Sequence, residues 1–258
     1  MRIARFVADS DPLYGVVEGE PGSEVVTVIK GDPFFHGVER TTQKYKLEDV
    51  RLLAPIIPRS KVVGVGRNFV EHAAELGNEV PKQPLLFLKP NTSVIGPNDP
   101  IVLPEFSEEV SFEAELCVVI GRICKDVPED RVDDVIFGYT CGNDLTARDV
   151  QKTDLQWARA KGFDTSAPLG PWIETELDTE DLRIQGRLNG ELRQDGSTSQ
   201  MIRGVRELVS VVSQAFTLLP GDVIMTGTPA GVGVVAAGDR FEVEIEGIGR
   251  LSNPIVRR

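Results

Sequence analysis

Glycine and proline, 25 and 17 of the 258 residues, cut most apolar runs of this chain to five to eight residues. Runs of that length, rich in Val and Ile, read as strands, because a stable helix needs about three turns to bury a stripe. Leu116–Ile120 and Phe241–Ile245 are examples, and Val223–Met225 is a shorter one. Residues 1 to about 55 alternate apolar and polar positions in Ile3–Val7 and Val25–Ile29, with breaks at Asp11-Pro12, Pro21-Gly22 and Gly31-Asp32-Pro33. That pattern predicts short antiparallel strands joined by turns. Pro55 and Pro58 bracket a stiff crossing into a stretch denser in glycine. The expected organisation is a small N-terminal domain over residues 1–57 and a larger one over residues 58–258.

Two helices are expected. One covers Phe69–Leu76; the other covers Val205–Leu218, with apolar residues at 205, 208, 209, 212, 216 and 219 that pack into the core. No internal repeat is visible, which argues against a propeller or a solenoid.

Charge narrows the partners. There are 28 basic and 40 acidic residues, a net charge of −12, and no basic stripe interleaved with aromatics. Nucleic acid is not an expected partner, since phosphate binding is driven by Lys and Arg. No stretch approaches the roughly 20 apolar residues of a membrane helix, and residues 1–11 contain no apolar leader core. No membrane partner is expected, and the cytoplasm is the expected location. Cys117, Cys124 and Cys141 are odd in number and lack C-x-x-C spacing, which fits a reducing compartment and no zinc ribbon. Asn91-Thr92-Ser93 has the form of a glycosylation sequon, without significance in that compartment.

The chemistry-bearing residues begin in residues 111–120, SFEAELCVVI. Strand alternation puts Phe112, Ala114, Leu116, Val118 and Ile120 on one face and Glu113 and Glu115 together on the other. On composition alone a solvated sheet face is the plainer reading. Against it, the acidic face continues into Cys117 and Val119 rather than into more charge. Two carboxylates that close raise each other's pKa unless a cation lies between them. Asp144 follows a short strand-like run beside Asn143 and Thr146, where a turn is the alternative. Three carboxylates without a neighbouring His or Cys suit a hard cation such as Mg²⁺ or Mn²⁺.

Asn68 and Glu71 have capping-box spacing and Gly77 supplies a stop, so His72 and Glu75, three apart, share one face of a short helix. A carboxylate beside an imidazole orients it and raises its basicity, as a general base requires; a surface contact is the alternative. The other histidine, His36, lies among Pro33, Phe34 and Phe35. Gly227–Gly233 lacks the Gly-Lys-Ser/Thr ending of a phosphate loop, and Gly64-Val65-Gly66 lacks the third glycine of a dinucleotide fingerprint. No G-x-S-x-G elbow is present, which argues against a serine hydrolase.

Taken in order, Val65–His72, Phe87–Pro90, Phe112–Leu116, Asn143–Asp149, Lys161–Asp164, Leu188–Glu191 and Pro220–Pro229 resemble the fumarylacetoacetate hydrolase family, in its bacterial two-domain form. The resemblance implies a mostly β (α+β) chain. It has a mixed β-sandwich roll of the fumarylacetoacetate hydrolase type in the catalytic domain and a small β-rich N-terminal domain. It further implies that Glu113, Glu115 and Asp144 hold Mg²⁺ or Mn²⁺. His72 is then the general base on a mobile segment, and Glu75 orients it. Lys161 and Gln151 correspond to substrate positions; Arg67 lies within a matched block, and Thr228 lies on a loop lining the site. Lys161 is the foremost candidate for binding a carboxylate, Lys89 is left open, and Arg148 is expected to form a structural pair with neighbouring Asp149.

The implied substrate is a small anionic 2-oxo acid, and the implied assembly is a homodimer. The implied reaction is hydrolysis of a carbon–carbon bond in an acylpyruvate or fumarylpyruvate, or decarboxylation of oxaloacetate, through an enolate stabilised by the ion. Isomerisation of 2-hydroxyhepta-2,4-diene-1,7-dioate and decarboxylation of 5-oxopent-3-ene-1,2,5-tricarboxylate, both in aromatic catabolism, are alternatives. A catalytically silent 2-oxo acid binding protein is the alternative of another class.

Overall fold

The computed structural model describes residues 1–75, 77 and 79–257. Strands dominate, in one twelve-stranded, one five-stranded and one three-stranded sheet. The main path of the large sheet runs Arg40–Lys46, Val25–Ile29, Pro12–Glu18, Arg2–Val7, Ala167–Glu174, Ile136–Asn143, Ala114–Ile120, Val223–Met225, Val62–Gly66 and Leu85–Lys89. Neighbours on this path are antiparallel except Val223–Met225 against Val62–Gly66, so the sheet is mixed. The N-terminal strands therefore extend the large sheet, through Arg2 opposite Glu174 and Ile3 opposite Ile173.

The five-stranded sheet runs Glu191–Ser197, Arg183–Leu188, Arg240–Ile245, Gly249–Arg257 and Ile101–Leu103. It packs on the central strands of the large sheet, with Leu116, Val118, Ile184, Val243 and Leu251 in the shared core. Phe112 stacks on Phe241, ring centroids 4.1 Å apart, where the two layers meet. Cys117 and Val119, on the other side of the same strand, enter a second apolar cluster with Leu169 and Ile173. All seven residues of Ala114–Ile120 are buried as a result. An all-round buried strand is the expected state of a sheet centre covered on both faces.

The structure corrects three sequence expectations. The run 111–120 is two strands: Val110–Phe112 in the three-stranded sheet and Ala114–Ile120 in the large one. At the break the Glu113 amide donates to Asn143 Oδ1 at 2.9 Å and the Ala114 amide donates to Gln194 Oε1 at 2.9 Å. Side chains thus take the place of ladder partners and let the chain change sheets. The long helix is Val205–Ala215, ending at extended Phe216. Leu218 instead exchanges backbone hydrogen bonds with Cys124 at 2.9 and 3.0 Å, which draws it out of the helix.

The third correction concerns the short helix, Val70–Glu75, closed by Gly77 at φ +67°; the expected Leu76 lies outside the described residues. Asn68 does not use its carboxamide as a cap. Its Nδ2 donates to the carbonyls of Arg203 at 3.0 Å and Thr226 at 2.8 Å, and its Oδ1 accepts from the Arg203 amide at 3.0 Å. Longer-range partners outcompete the local box and pin the root of the helix. No helix among the described residues is long and apolar enough to cross a membrane.

Candidate active site

The sheet change at Glu113 determines the site. Glu113 and Glu115 flank Ala114 and remain on one side, while Asp144 follows the neighbouring strand Ile136–Asn143, and its amide donates to the Glu113 carbonyl at 2.9 Å. Ligand oxygens of Glu113, Glu115 and Asp144 lie within 4.8 Å of one another, and all three side chains are buried. The donor set is oxygen only, and three like charges share one small volume. Both properties fit a divalent hard cation.

Two short helices bring cations to the same place. Arg148 opens Arg148–Thr153 and Lys161 lies in Ala158–Gly162. Lys161 Nζ donates to Glu113 Oε2 at 2.8 Å and to Asp144 Oδ2 at 2.6 Å. Arg148 donates to Glu113 Oε1, and also to Gln151 Oε1 at 3.0 Å. The expected Arg148–Asp149 pair is absent: Asp149 instead accepts from Ser107 Oγ at 2.6 Å and the Glu108 amide at 3.0 Å. Lys89, left open by sequence, is fully buried and donates to Asp144 Oδ1.

These neighbours divide the carboxylates. Burial alone raises the Glu113 carboxyl, but Lys161, Arg148 and His72 together hold it well below the usual range. Glu115 is pushed well above its ordinary value by burial, then by Asp144 and Glu113. It accepts the Gly227 amide at 2.8 Å. Gly227 has φ +99°, and a Cβ there would lie 2.8 Å from the Asn68 Cβ, so this approach requires glycine. Among the lysines, burial lowers Lys89 despite Asp144, whereas Asp144 and Glu113 overcome burial and raise Lys161.

The base candidate faces this cluster. His72, buried on the short helix, has Nδ1 3.2 Å from Glu75 Oε2 and Nε2 4.0 Å from Glu113 Oε1. Glu75 Oε1 in turn accepts the Gly231 amide at 3.0 Å. Donation of Nδ1–H to Glu75 leaves the Nε2 lone pair toward the triad. A cavity of about 250 Å³ is lined by His72, Glu113, Glu115, Arg67, Gln151 and Lys161, together with Thr228 and Trp157. Asp144 joins Glu113 and Glu115, and Glu75 joins His72, behind that lining, so the candidate metal, base and substrate residues lie in or next to one cavity. The Thr228 hydroxyl is committed within the fold: it donates to the Ala114 carbonyl at 2.8 Å and accepts from Gln194 Nε2 at 2.7 Å.

Residues 61–256 match the family model described as Fumarylacetoacetate (FAA) hydrolase C-terminal, about three quarters of the chain. The chain belongs to the fumarylacetoacetate hydrolase family. Residues 1–55 match the model of the Rv2993c-like N-terminal region. Protein Rv2993c of Mycobacterium tuberculosis is 48% identical over 268 residues, covering 100% of this chain and 99% of the relative. The crystal structure of 2-hydroxyhepta-2,4-diene-1,7-dioate isomerase from Mycobacterium marinum superposes with a TM-score of 0.93 at 48% identity, covering 100% and 99% of the two chains. A mitochondrial oxaloacetate tautomerase of Xenopus laevis is 43% identical over 288 residues, covering 99% of this chain and 90% of its own. The mostly β fold with its N-terminal extension is thus that of the family, and the buried triad is the kind of site a divalent ion occupies.

Sequence reasoning left Lys89 open and missed Asn143, Trp157 and Gln194 as parts of the site. Lys89 carried a signal, a lysine in an apolar strand, Leu85–Lys89, at a proline. The amides carried none, because they act on backbone groups 30 and 80 residues away.

Proposed function

We propose that this chain is a divalent-metal-dependent enzyme acting on small 2-oxo and 2,4-dioxo carboxylic acids through enolate chemistry. Its first-choice reactions are carbon–carbon bond hydrolysis of the acylpyruvate or fumarylpyruvate type and oxaloacetate decarboxylation. The observation that carries this reading is that a carboxylate-oriented imidazole and three buried acids face the same cavity. Glu113, Glu115 and Asp144 would hold Mg²⁺ or Mn²⁺, which when bound supplies Lewis-acid activation of a 2-oxo carboxylate.

The chain's own residues do the rest. Glu75 holds the Nδ1 proton of His72, so Nε2 is free to take a proton from water in hydrolysis, or from the carbon next to the 2-oxo group in tautomerisation. Lys161 presents an ammonium toward the substrate carboxylate, with Gln151 and Arg67 as further contacts and Thr228 shaping the loop beside them. Trp157, and His72 on the short helix Val70–Glu75, form part of the cavity wall. The resemblance also supports a homodimer in the cytoplasm, with residues 1–57 as an accessory domain to 58–258.

A second reading is favoured by the relatives, one an isomerase and another a tautomerase. Both names describe reactions in which a proton moves without water attack, and one imidazole suffices for that. Acetylpyruvate cleavage, oxaloacetate decarboxylation and oxaloacetate keto–enol exchange are therefore assayed in parallel, with EDTA and with Mg²⁺ or Mn²⁺ add-back. Turnover that ignores the chelator rejects the metal role. His72→Ala is expected to lower hydrolysis by about 10²- to 10⁴-fold and decarboxylation less, since only the former needs activated water. Equal losses reject that assignment of His72.

A further inference from the structure

His72 has to stand opposite Glu113 to act as a base, and its own helix cannot hold it there. Val70–Glu75 is six residues long, too few for its internal hydrogen bonds to keep a helix in place. Contacts outside the helix set its position. At the near end Phe69 is buried and bridges to Met201, and the Ile202 amide donates to the Asn68 carbonyl at 2.8 Å. The Asn68 carboxamide also brackets the backbone of Arg203, taking its amide on Oδ1 and giving Nδ2–H to its carbonyl.

The far end is held by the same residue in another way. Among the described residues of 77–83 all but Pro81 are exposed. One hydrogen bond joins these described residues to the rest of the chain: Arg203 Nη2 donates to the Lys82 carbonyl at 2.7 Å. Through Nη1 the guanidinium pairs with Glu207, in the first turn of the helix Val205–Ala215. That helix is a fixed support, because Leu208, Val209 and Val212 lie in the core.

Arg203 thus grips Asn68 with its backbone and Lys82 with its side chain, and His72 and Glu75 lie between the two grips. Fixing both ends of a segment removes much of its conformational freedom. A base needs that, since a misplacement of about 1 Å costs about 10²-fold in rate. We infer that Arg203 is a positioning residue: by holding both ends of segment 68–82 it keeps His72 against the acid triad, although Arg203 itself does not line the cavity. The inference rests on the proposed role of His72.

Arg203→Met tests it, because it keeps the backbone contacts to Asn68 and removes only the grip on Lys82 and the ion pair with Glu207. In the Mg²⁺-loaded full chain, hydrogen exchange of the Val70–Glu75 amides is expected to quicken by about tenfold, the loss of one charge-assisted hydrogen bond, with exchange in Ala114–Ile120 unchanged. The kcat of the His72-dependent reaction is expected to fall about tenfold, with KM and Mg²⁺ affinity altered by less than about twofold. In the His72→Ala background the same substitution is expected to change kcat by less than about twofold, because the group it positions is gone. Arg203→Lys, which keeps a donor for the Lys82 carbonyl, is expected to recover part of both losses. Should Arg203→Met fail to fold, Glu207→Gln, which loosens the guanidinium, is expected to give the same pattern at about threefold. Unchanged exchange, or additive losses in the double variant, overturn the inference. Faster exchange in a chain whose wild type turns over none of the proposed substrates upholds the grip on the segment and rejects the proposed function instead.

Discussion

Two sets of buried carboxylates in this molecule are treated in opposite ways. Asp222, fully buried where Val223–Met225 begins, is surrounded by donors: the Ser60 amide at 3.2 Å and hydroxyl at 2.7 Å, the Lys61 amide at 3.2 Å and ammonium at 2.6 Å, and the Leu219 amide at 3.0 Å. One charge meets one cation and four neutral donors, and every lone pair has a use. The acids at the cavity share their cations, and Glu115 has a single amide and two like-charged neighbours. A satisfied buried charge holds the fold together, whereas one left in deficit is kept for a ligand.

The largest expected effect breaks or upholds that contrast directly. Asp222→Ala leaves the Lys61 ammonium without its ion-pair partner and removes the acceptor shared by the Ser60, Lys61 and Leu219 donors. It should cost about 3–5 kcal/mol of stability in denaturant unfolding while the folded fraction keeps its Mg²⁺ affinity. Glu115→Gln should do the reverse: Mg²⁺ affinity falls in calorimetry, with thermal stability nearly unchanged, because Glu115 forms no ion pair among the described residues and lies beside two like charges. Equal destabilisation by the two substitutions would erase the distinction.

Gln194 lies between the two regimes and sharpens the comparison. It reaches from the five-stranded sheet, fully buried, to the Ala114 amide, the Thr228 hydroxyl and the Pro229 carbonyl. Those contacts hold the backbone between Glu113 and Glu115. Gln194→Ala leaves the Ala114 amide unsatisfied and should cost about 1–3 kcal/mol in unfolding. Because the same amide sets the separation of two acids, Mg²⁺ affinity should fall by about 10- to 100-fold as well. Loss of stability alone would make Gln194 a support of the core rather than of the site.

The contrast also explains what could be read in advance. Alternation puts Glu113 and Glu115 on one face, although the strand breaks at Glu113, and one helical turn brings His72 and Glu75 together; that the four form a site followed only from the family resemblance. Pairings that depend on the fold were not legible. Arg148 finds Glu113 at a separation of 35 residues and Lys89 finds Asp144 at 55, distances along the chain over which no local pattern operates. The helices Arg148–Thr153 and Ala158–Gly162 are too short to show periodicity. The alternation of the first strands was visible, but their joining of the large sheet depends on Arg2 meeting Glu174, which alternation does not encode.

The smallest effect concerns the proton that takes the place of a cation. In the metal-free protein the Glu115 carboxyl lies well above its ordinary value, through burial and then Asp144 and Glu113. A carboxyl raised by folding gives its full contribution to stability below the unfolded carboxylate value, and loses it as pH rises toward and through the raised value. The metal-free protein should therefore lose stability with pH across that window, by at most about 1.4 kcal/mol per pH unit for this one group. A bound divalent ion displaces the proton and favours the carboxylate, so the loaded protein should show a flatter profile. Calorimetry in two buffers of different ionisation enthalpy should then detect up to about one proton released per Mg²⁺ bound. Glu115→Gln should abolish the release and flatten the metal-free profile. Release that persists in that variant would move the proton to another group and remove Glu115 from the deficit that distinguishes the cavity acids from Asp222.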